Sequence, residues 1–426
     1  MKSNYKKLGQ FIQDVSVKNK NLNVELLLGV SITKRFIPSI ANTIGTDMSK
    51  YKIVKRDQFA YGPVTSRNGE KISVALLAED ECLVSTSYTV FEIVDKEQLD
   101  PEYLMMWFRR SEFDRYARYM SHGTVRELFG WEEMCDIELP IPCIEKQREI
   151  VREYNVVNNR IVLNEQLTQK LEDTAQAIYK QWFVDFEFPI PKEYAKLIGK
   201  PDLNGKPYKS SGGEMQYCDD LEQEIPIIFT YSKLNELISH KKGNAFKSSD
   251  YVEDGVKIVK VSNFSDKTVS GSTCNCIEYS RKNEFKSYVL THGDILISTV
   301  GSWPSNPASV VGQVVKVPKN MDGSLLNQNI VKLKPKEDAF QNTLMLALSR
   351  KVFSEYVVSG AQGSANQASV TLEHLLSYPL IQGDKDTRLS FSRIVKPLDL
   401  HRSNIEEENI SLFETRKILL KKLAKA

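Results

Sequence analysis

The alternation of apolar and polar positions separates the chain into two kinds of segment. From Glu145 to about Phe186 there is neither glycine nor proline. Apolar or near-apolar side chains recur at Ile150, Tyr154, Val157, Ile161, Leu171, Ala175, Ile178 and Trp182, with Asn164 and Thr168 on the intervening stripe positions. Steps alternating between four and three residues are the seam of a heptad helix. A helix of that extent is about 60 Å long at ~1.5 Å per residue. Near the C-terminus Phe391, Leu398, Ile405, Leu412 and Leu419 stand one heptad apart, which predicts a second long helix. Pro397 should kink it or mark its first turn. Asn164 on the first seam and Asn404 beside the second are the polar positions that fix register when such helices pair. The stripes either pair with each other or bury against globular neighbours. Pairing is the stronger expectation, since a helix this long rarely hides in one small domain.

Elsewhere the pattern shortens. Strand-like runs occupy Tyr51–Val54, Cys82–Val84, Tyr88–Val94, Lys257–Val261, Asp294–Thr299 and Val310–Val317, punctuated by Gly, Asn, Pro and Asp. Helical periodicity covers Pro101–Tyr119 and Phe340–Val358, and Pro101 suits a first helical turn, where its missing N–H costs little. These features predict mixed α+β domains with irregular strands.

The segments recur in order. Tyr5-Lys6-Lys7-Leu8 resembles Tyr231-Ser232-Lys233-Leu234, and the Tyr51–Asp57 stretch resembles Tyr288–Asp294. Leu104, Arg110, Phe113, Tyr116 and Gly123 match Leu344, Arg350, Phe353, Tyr356 and Gly363 at one constant spacing, which Arg148/Arg388 and Asn164/Asn404 keep. Ordered identities at a fixed interval point to two copies of one unit, a globular domain followed by a long helix. The expected organisation is a first domain over 1–143, a long helix over 144–188, a linker over 189–228, a second domain over 229–382 and a C-terminal helix over 383–426.

Composition changes this picture little. Apolar residues are 41% and charged residues 26% of the chain, the balance of an ordinary folded protein. A formal net charge of +2 neither demands nor excludes nucleic acid, because a basic face can sit on a nearly neutral molecule. The six cysteines form no framework, and the lone close pair, Cys274 and Cys276, is a poor zinc signal. Reduced thiols, short apolar runs and an N-terminus with no apolar core behind its lysines read as a cytoplasmic protein with no membrane role.

Catalytic signatures are missing. There is no Asn-Pro-Pro-Tyr or Asp-Pro-Pro-Tyr loop for holding a flipped adenine; Ser305-Asn306-Pro307-Ala308 is the nearest string. No glycine-rich dinucleotide loop and no G-x-x-x-x-G-K-[ST] loop occurs. Glu145-Lys146 and Glu284-Phe285-Lys286 read as surface charge rather than nuclease carboxylates, and no nucleophile stands with a base. Catalytic, cofactor and metal sites are therefore expected to be absent from this chain, which favours a binding or scaffolding subunit.

Several strings resemble one family. Ile137-Glu138-Leu139-Pro140-Ile141-Pro142, followed by Glu145-Lys146-Gln147-Arg148-Glu149-Ile150-Val151 and the long helix, resembles the central region of the specificity subunits of type I restriction–modification enzymes. So do Tyr179-Lys180-Gln181-Trp182-Phe183-Val184-Asp185-Phe186, the strand Gly293–Ser298 and the C-terminal Leu419-Leu420-Lys421-Lys422-Leu423. Gly383-Asp384-Lys385-Asp386-Thr387-Arg388 departs from the family by lacking the Glu-x-Gln string, which leaves the start of the second helix open. The resemblance implies two target-recognition domains that each read half of a bipartite, asymmetric DNA site. It also implies helices paired as an antiparallel coiled coil that sets the unread spacer, in a molecule with a pseudo-twofold repeat. The implied partners are double-stranded DNA, two modification (methyltransferase) subunits and the restriction (translocase and nuclease) subunits. S-adenosylmethionine, ATP and magnesium would sit on those partners, not on this chain.

Base edges are read by Arg, Lys, Asn and Gln, and phosphates by basic and hydroxyl side chains and backbone amides. The candidate DNA-binding residues of the first domain are accordingly Lys34, Arg35, Ser66, Arg67, Asn68, Ser121, His122, Gly123, Thr124 and Arg126. Those of the second are Lys241, Lys242, Asn244, Lys247, Ser298, Thr299, Ser302, Trp303, Gln362, Gly363, Ser364, Asn366 and Gln367. Gly123 and Gly363 occupy equivalent places in the repeat. The competing readings are a protein–protein scaffold with two adhesive domains on a coiled-coil spacer, and a single-chain restriction enzyme with a divergent nuclease centre.

Overall fold

The computed structural model describes residues 4–39, 45–66, 68–69, 71–122, 127–265, 267–305, 310–364 and 366–425; each helix expected over Pro101–Tyr119 and Phe340–Val358 is two short helices there. The chain divides into two units: Met1–Leu163 with Asn409–Ala426, and Asn164–Glu408.

In the first unit Ile12–Val15, Thr89–Ile93, Phe59–Tyr61 and Val74–Leu76 form an antiparallel sheet in that order. Phe59, Ala60 and Tyr61 are all fully buried, so this strand reads as a continuous apolar run rather than an alternating one. Phe91 lies opposite Phe59 in register, and their rings stack with centroids 4.8 Å apart. Helix Pro101–Phe108 is capped by Asp100, whose carboxylate accepts from the Tyr103 N–H at 3.0 Å. All its residues but Glu102 are buried, as expected for a helix apolar on every side. Helix Ser111–Met120 follows and inserts Phe113 against Phe108. Tyr5–Lys7 pairs antiparallel with Glu138–Pro140 and joins the two ends of the fold.

The second unit holds a six-stranded sheet in the order Ile238–Lys242, Ile330–Pro335, Ile295–Ser298, Val314–Lys316, Thr268–Val269 and Phe264–Ser265. Its first four strands follow the strand order of the first unit, with the same antiparallel pairings. Helices Gln341–Leu348 and Lys351–Ser359 stand where Pro101–Phe108 and Ser111–Met120 stand in the first copy, with Arg350 at the junction as Arg110 is there. Thr230–Lys233 pairs with Pro379–Gln382, matching the pairing of Tyr5–Lys7. Residues 189–228 are themselves folded. They carry helix Lys192–Leu197 and the hairpin Met215–Cys218/Gln223–Pro226, and Phe188 stacks on Tyr208 and Phe229 at 4.7 and 4.5 Å.

The long helices run Ile144–Phe183 and Lys385–Lys422. The heptad stripe falls on buried or half-buried positions throughout, with Asn164, Tyr154, Ile161 and Trp182 the most enclosed. Pro397 neither starts nor ends the second helix. It costs the local hydrogen bond on an exposed face, while Phe391, Val395 and Ile405 bury on the other face and hold the helix through it. Within the second unit the two helix segments touch directly: Phe391 meets Phe183 edge to face at 4.9 Å, and Asn164, 1% exposed, donates to Glu408 at 3.1 Å. Asn404 is exposed. Within the first unit Arg416 donates to Asn158 at 3.3 Å.

An ionic network ties these segments to the second sheet. Glu172 accepts Lys267 and Arg402, each at 2.7 Å. Arg402 also meets Asp399 and Glu406, both at 3.5 Å, and Asp399 pairs with Lys316. Burial pushes the Glu406 carboxyl above the usual range, against the pull of Arg402 and Lys316. A carboxyl whose pKa is raised on folding costs stability as the pH rises through its folded value, and costs nothing below its unfolded value. Glu406→Gln is therefore expected to leave the protein as stable as, or more stable than, the parent at pH 7. That advantage should vanish in acid near pH 4. Urea midpoints at the two pH values check this, and a clear destabilisation at pH 7 would refute it.

Candidate functional site

Equivalent strands of the two sheets end in loops that the fold joins to the segment after the second short helix. In the first unit Phe59–Tyr61 leads into Val64, which bridges Leu128, and Leu128 bridges His122. Thr65 is 2% exposed and donates to the Ser121 hydroxyl at 2.9 Å. The stretch carrying Ser66 and Asn68 is thereby fastened to the stretch carrying Ser121 and His122. Ser66 and His122 are exposed, Ser121 and Asn68 are half-buried, and Asn68 braces its own turn by donating to Val64 O at 3.2 Å. Arg67, Gly123, Thr124 and Arg126 lie outside the described residues.

The second unit repeats the arrangement with a fuller ladder. Ile295–Ser298 leads into Val300–Gly301, which pairs with Gln367–Ser369, and that strand pairs with Gln362–Ser364. Trp303 donates its indole N–H to Ser364 O at 2.8 Å and pins the hairpin from the side. Gln362, Gly363, Ser364, Asn366 and Gln367 are all exposed, while Ala368 faces inward and is fully buried. A Cβ on Gly363 would lie 2.0 Å from Gln367 O, and its φ of +157° is one that L side chains rarely adopt. The close approach of the two strands therefore requires glycine. The result is a narrow, polar hairpin carrying two glutamines and an asparagine, the amides that recognise adenine through paired hydrogen bonds.

The fold withdraws some candidates from the surface. Ser298 is fully buried, its hydroxyl donating to Val310 O at 3.1 Å and accepting from Gln313 N at 3.0 Å. Thr299, 8% exposed, donates to Asn329 O at 3.1 Å. Both brace the base of the ladder instead of facing solvent. Lys34 is 6% exposed and donates to Asp114 at 2.6 Å and to Ile72 O, so its ammonium is turned inward. Arg35 beside it is exposed. Ser302 is half-buried and bridges Val310.

Lys241 and Lys242 sit on the edge strand Ile238–Lys242, where Lys241 lies over the Tyr288 ring at 4.7 Å and Lys242 is exposed. Lysines on an edge discourage pairing with other chains, and the same charges suit phosphate. Asn244 is held by backbone bonds to Leu326 and Gln328 at 2.9 Å, and Lys247 is exposed just beyond. Sequence reasoning missed Thr65, the buttress beneath the first pair of loops; a buried threonine carries no signal in a chain read without its partners. Among the described residues no three His, Cys, Asp or Glu side chains group to hold a metal, and no helix is long and apolar enough to cross a membrane.

Comparison with known proteins bears on this geometry. No protein-family model matches the chain. It is 23% identical over 412 residues to the type I restriction enzyme HindI specificity subunit of Haemophilus influenzae, covering 87% of this chain and 86% of that one. It is 26% identical over 173 residues to the MjaIX specificity subunit of Methanocaldococcus jannaschii, covering 40% of this chain and 35% of that one. In fold it is similar to the crystal structure of the type I restriction–modification S subunit from M. genitalium, with a TM-score of 0.54, 14% identity, and coverage of 99% of this chain and 95% of that chain.

Proposed function

We propose that this chain, a homologue of the type I restriction enzyme specificity subunits, supplies DNA sequence recognition to a restriction–modification complex and performs no catalysis itself. The observation that carries the reading is the pair of loop assemblies mounted on a four-stranded sheet and on the four strands of the second sheet that share its order. A molecule that reads two half-sites needs two reading heads built alike and bearing different side chains. Ser66 with Asn68, Ser121 and His122 form the first, and Gln362, Gly363, Ser364, Asn366 and Gln367 with Trp303 form the second. Arg67, Gly123, Thr124 and Arg126 would belong to the first as well. Lys241, Lys242, Asn244 and Lys247 suit phosphate contacts beside the second head.

The organisation we infer is two recognition domains, 1–143 and 229–382, reading a bipartite asymmetric site. Their spacing would be set by the long helices paired antiparallel as a coiled coil. Exposed apolar side chains on those helices, among them Val156, Leu163, Leu400 and Ile418, suit the docking of two modification subunits, with restriction subunits joining the complex. S-adenosylmethionine, ATP and magnesium would act on those partners, and the assembly would work in the cytoplasm.

The test is co-expression with the cognate modification subunit, followed by single-molecule sequencing of host DNA for N6-methyladenine. Methylation confined to one split motif, with one half changed by exchanging residues 1–143, is the expected result. A stable complex that leaves host DNA unmethylated, and whose purified form binds no duplex selectively, would favour the adhesive scaffold instead.

A further inference from the structure

A recess of about 590 Å³ opens within the first unit beside the first pair of loops, where Lys71 donates its N–H to Asn68 O at 3.3 Å. Its walls come from five stretches: the turn Ile32–Arg35, Lys71, the helix junction at Arg109 and Asp114, the first long helix at Tyr154 and Asn158, and the second at Arg416. Five cations line it, Lys34, Arg35, Lys71, Arg109 and Arg416, against the single carboxylate of Asp114. That carboxylate is already satisfied by Lys34 at 2.6 Å and by the Ile72 N–H at 3.2 Å. Among the described residues none of Arg35, Lys71, Arg109 and Arg416 has a carboxylate within ion-pair distance. Arg109 instead lies over the Tyr154 ring at 5.7 Å, and Arg416 is oriented by the Asn158 amide at 3.3 Å.

Like charges gathered in a concavity repel one another and focus a positive field into it. Around Glu172 the lysine and the arginine are matched with carboxylates. Here the surplus is left facing an open space. We propose that this recess is a binding site for a free ligand carrying several phosphate-type charges. Two arginines on rigid elements present the planar donor forks that grip phosphate oxygens in pairs. The volume lies in the range of small-ligand sites, ~300–1,000 Å³, and Ile32, Val162 and Leu420 give it an apolar wall. The inference does not depend on the reading of DNA by the loops.

The phosphates could be those of a free phosphorylated molecule or of a nucleic-acid backbone, and titration calorimetry of the full chain with inorganic tripolyphosphate separates the cases. One saturable site is expected, weakened at least tenfold by the double substitution Arg35→Ala/Lys71→Ala. Both residues are exposed and their loss should leave the fold intact. If tripolyphosphate and a duplex bind together, the recess takes a free phosphorylated ligand, as proposed; displacement of tripolyphosphate by a duplex would make the recess part of the DNA-contacting surface and would overturn the proposal. Absence of saturable binding to the unsubstituted chain, equal affinity in the variant, or tighter binding of a polyglutamate peptide than of tripolyphosphate would overturn it.

Discussion

Glu172→Ala is expected to destabilise the second unit by about 3–5 kcal/mol, the cost of leaving buried charge without its counter-ion. The Glu172 side chain is 11% exposed and each of its oxygens is taken, one by Lys267 and one by Arg402, which is 10% exposed. Burial opposes its charge, but the Lys267 hydrogen bond and the charges of Lys267 and Arg402 prevail and hold the carboxyl below its usual range. Its removal strands Arg402 among Asp399 and Glu406 with geometry too long for good hydrogen bonds, 3.5 Å in both cases. A carboxyl lowered on folding stabilises the protein above its unfolded pKa and loses that contribution as the pH falls through its folded value. The gap between parent and variant should therefore be full at pH 7 and narrow in strong acid. Asp173, next in sequence but exposed and bonded only to Gln169 among the described residues, supplies the control, with Asp173→Ala within about 0.5 kcal/mol of the parent. Hydrogen exchange of the 164–183 amides reads the difference locally. A loss below about 1 kcal/mol would mean that this network is solvated and does not fasten the helix to the sheet.

What the sequence disclosed and withheld follows from the range of the forces involved. Heptad stripes are local and repetitive, so both long helices were legible, the first to within a few residues. Of the two roles expected for Pro397, that of first-turn marker is excluded, since it lies inside the helix; the penalty of one proline is local, whereas the burial of Phe391, Val395 and Ile405 that offsets it depends on distant partners. Val310–Val317 reads as one strand, yet the strand is Val314–Lys316, and Val310 makes only an isolated bridge to Ser302. Gly312, at φ +79°, turns the chain so that Val310 and Gln313 bond around Ser298. Residues 189–228 look like a linker because Gly, Pro and Ser are frequent, but Phe188, Tyr208 and Phe229 stack into a core that no periodicity announces.

The candidate loops were chosen by residue type, and for the two at Gly123 and Gly363 the internal repeat gave a second reason. Polarity alone selected Ser298 and Thr299, whose hydroxyls face inward, and Lys34, whose partner Asp114 is far off in sequence. The cationic recess was not legible at all. Only the folded chain brings Lys71, Arg109 and Arg416 to one cavity.

The sharpest functional test lies in one atom. Gly363→Ala places a Cβ 2.0 Å from Gln367 O, and the strand on which that oxygen lies is paired on its other edge with Val300–Gly301. The partner strand cannot retreat without breaking that ladder, so the hairpin must open and Gln362, Asn366 and Gln367 lose their relative positions. Each paired contact to a base edge is worth ~1–3 kcal/mol of discrimination. Losing two should relax the second half-site by one to several orders of magnitude. The core beneath is unchanged, since Ala368 and Val370 are held by the inner strand and by the Thr299 carbonyl at 3.0 Å. Co-expressed with the modification subunit, the variant should methylate sites that keep the first half of the motif and degenerate in the second. Asn366→Ala, at the hairpin tip, should relax a narrower set of positions with the hairpin intact. Degeneracy confined to one half ties that half to residues 362–369, because damage to the subunit as a whole would lower methylation at every site without changing the motif. An unchanged motif at unchanged yield would show that the hairpin does not read DNA.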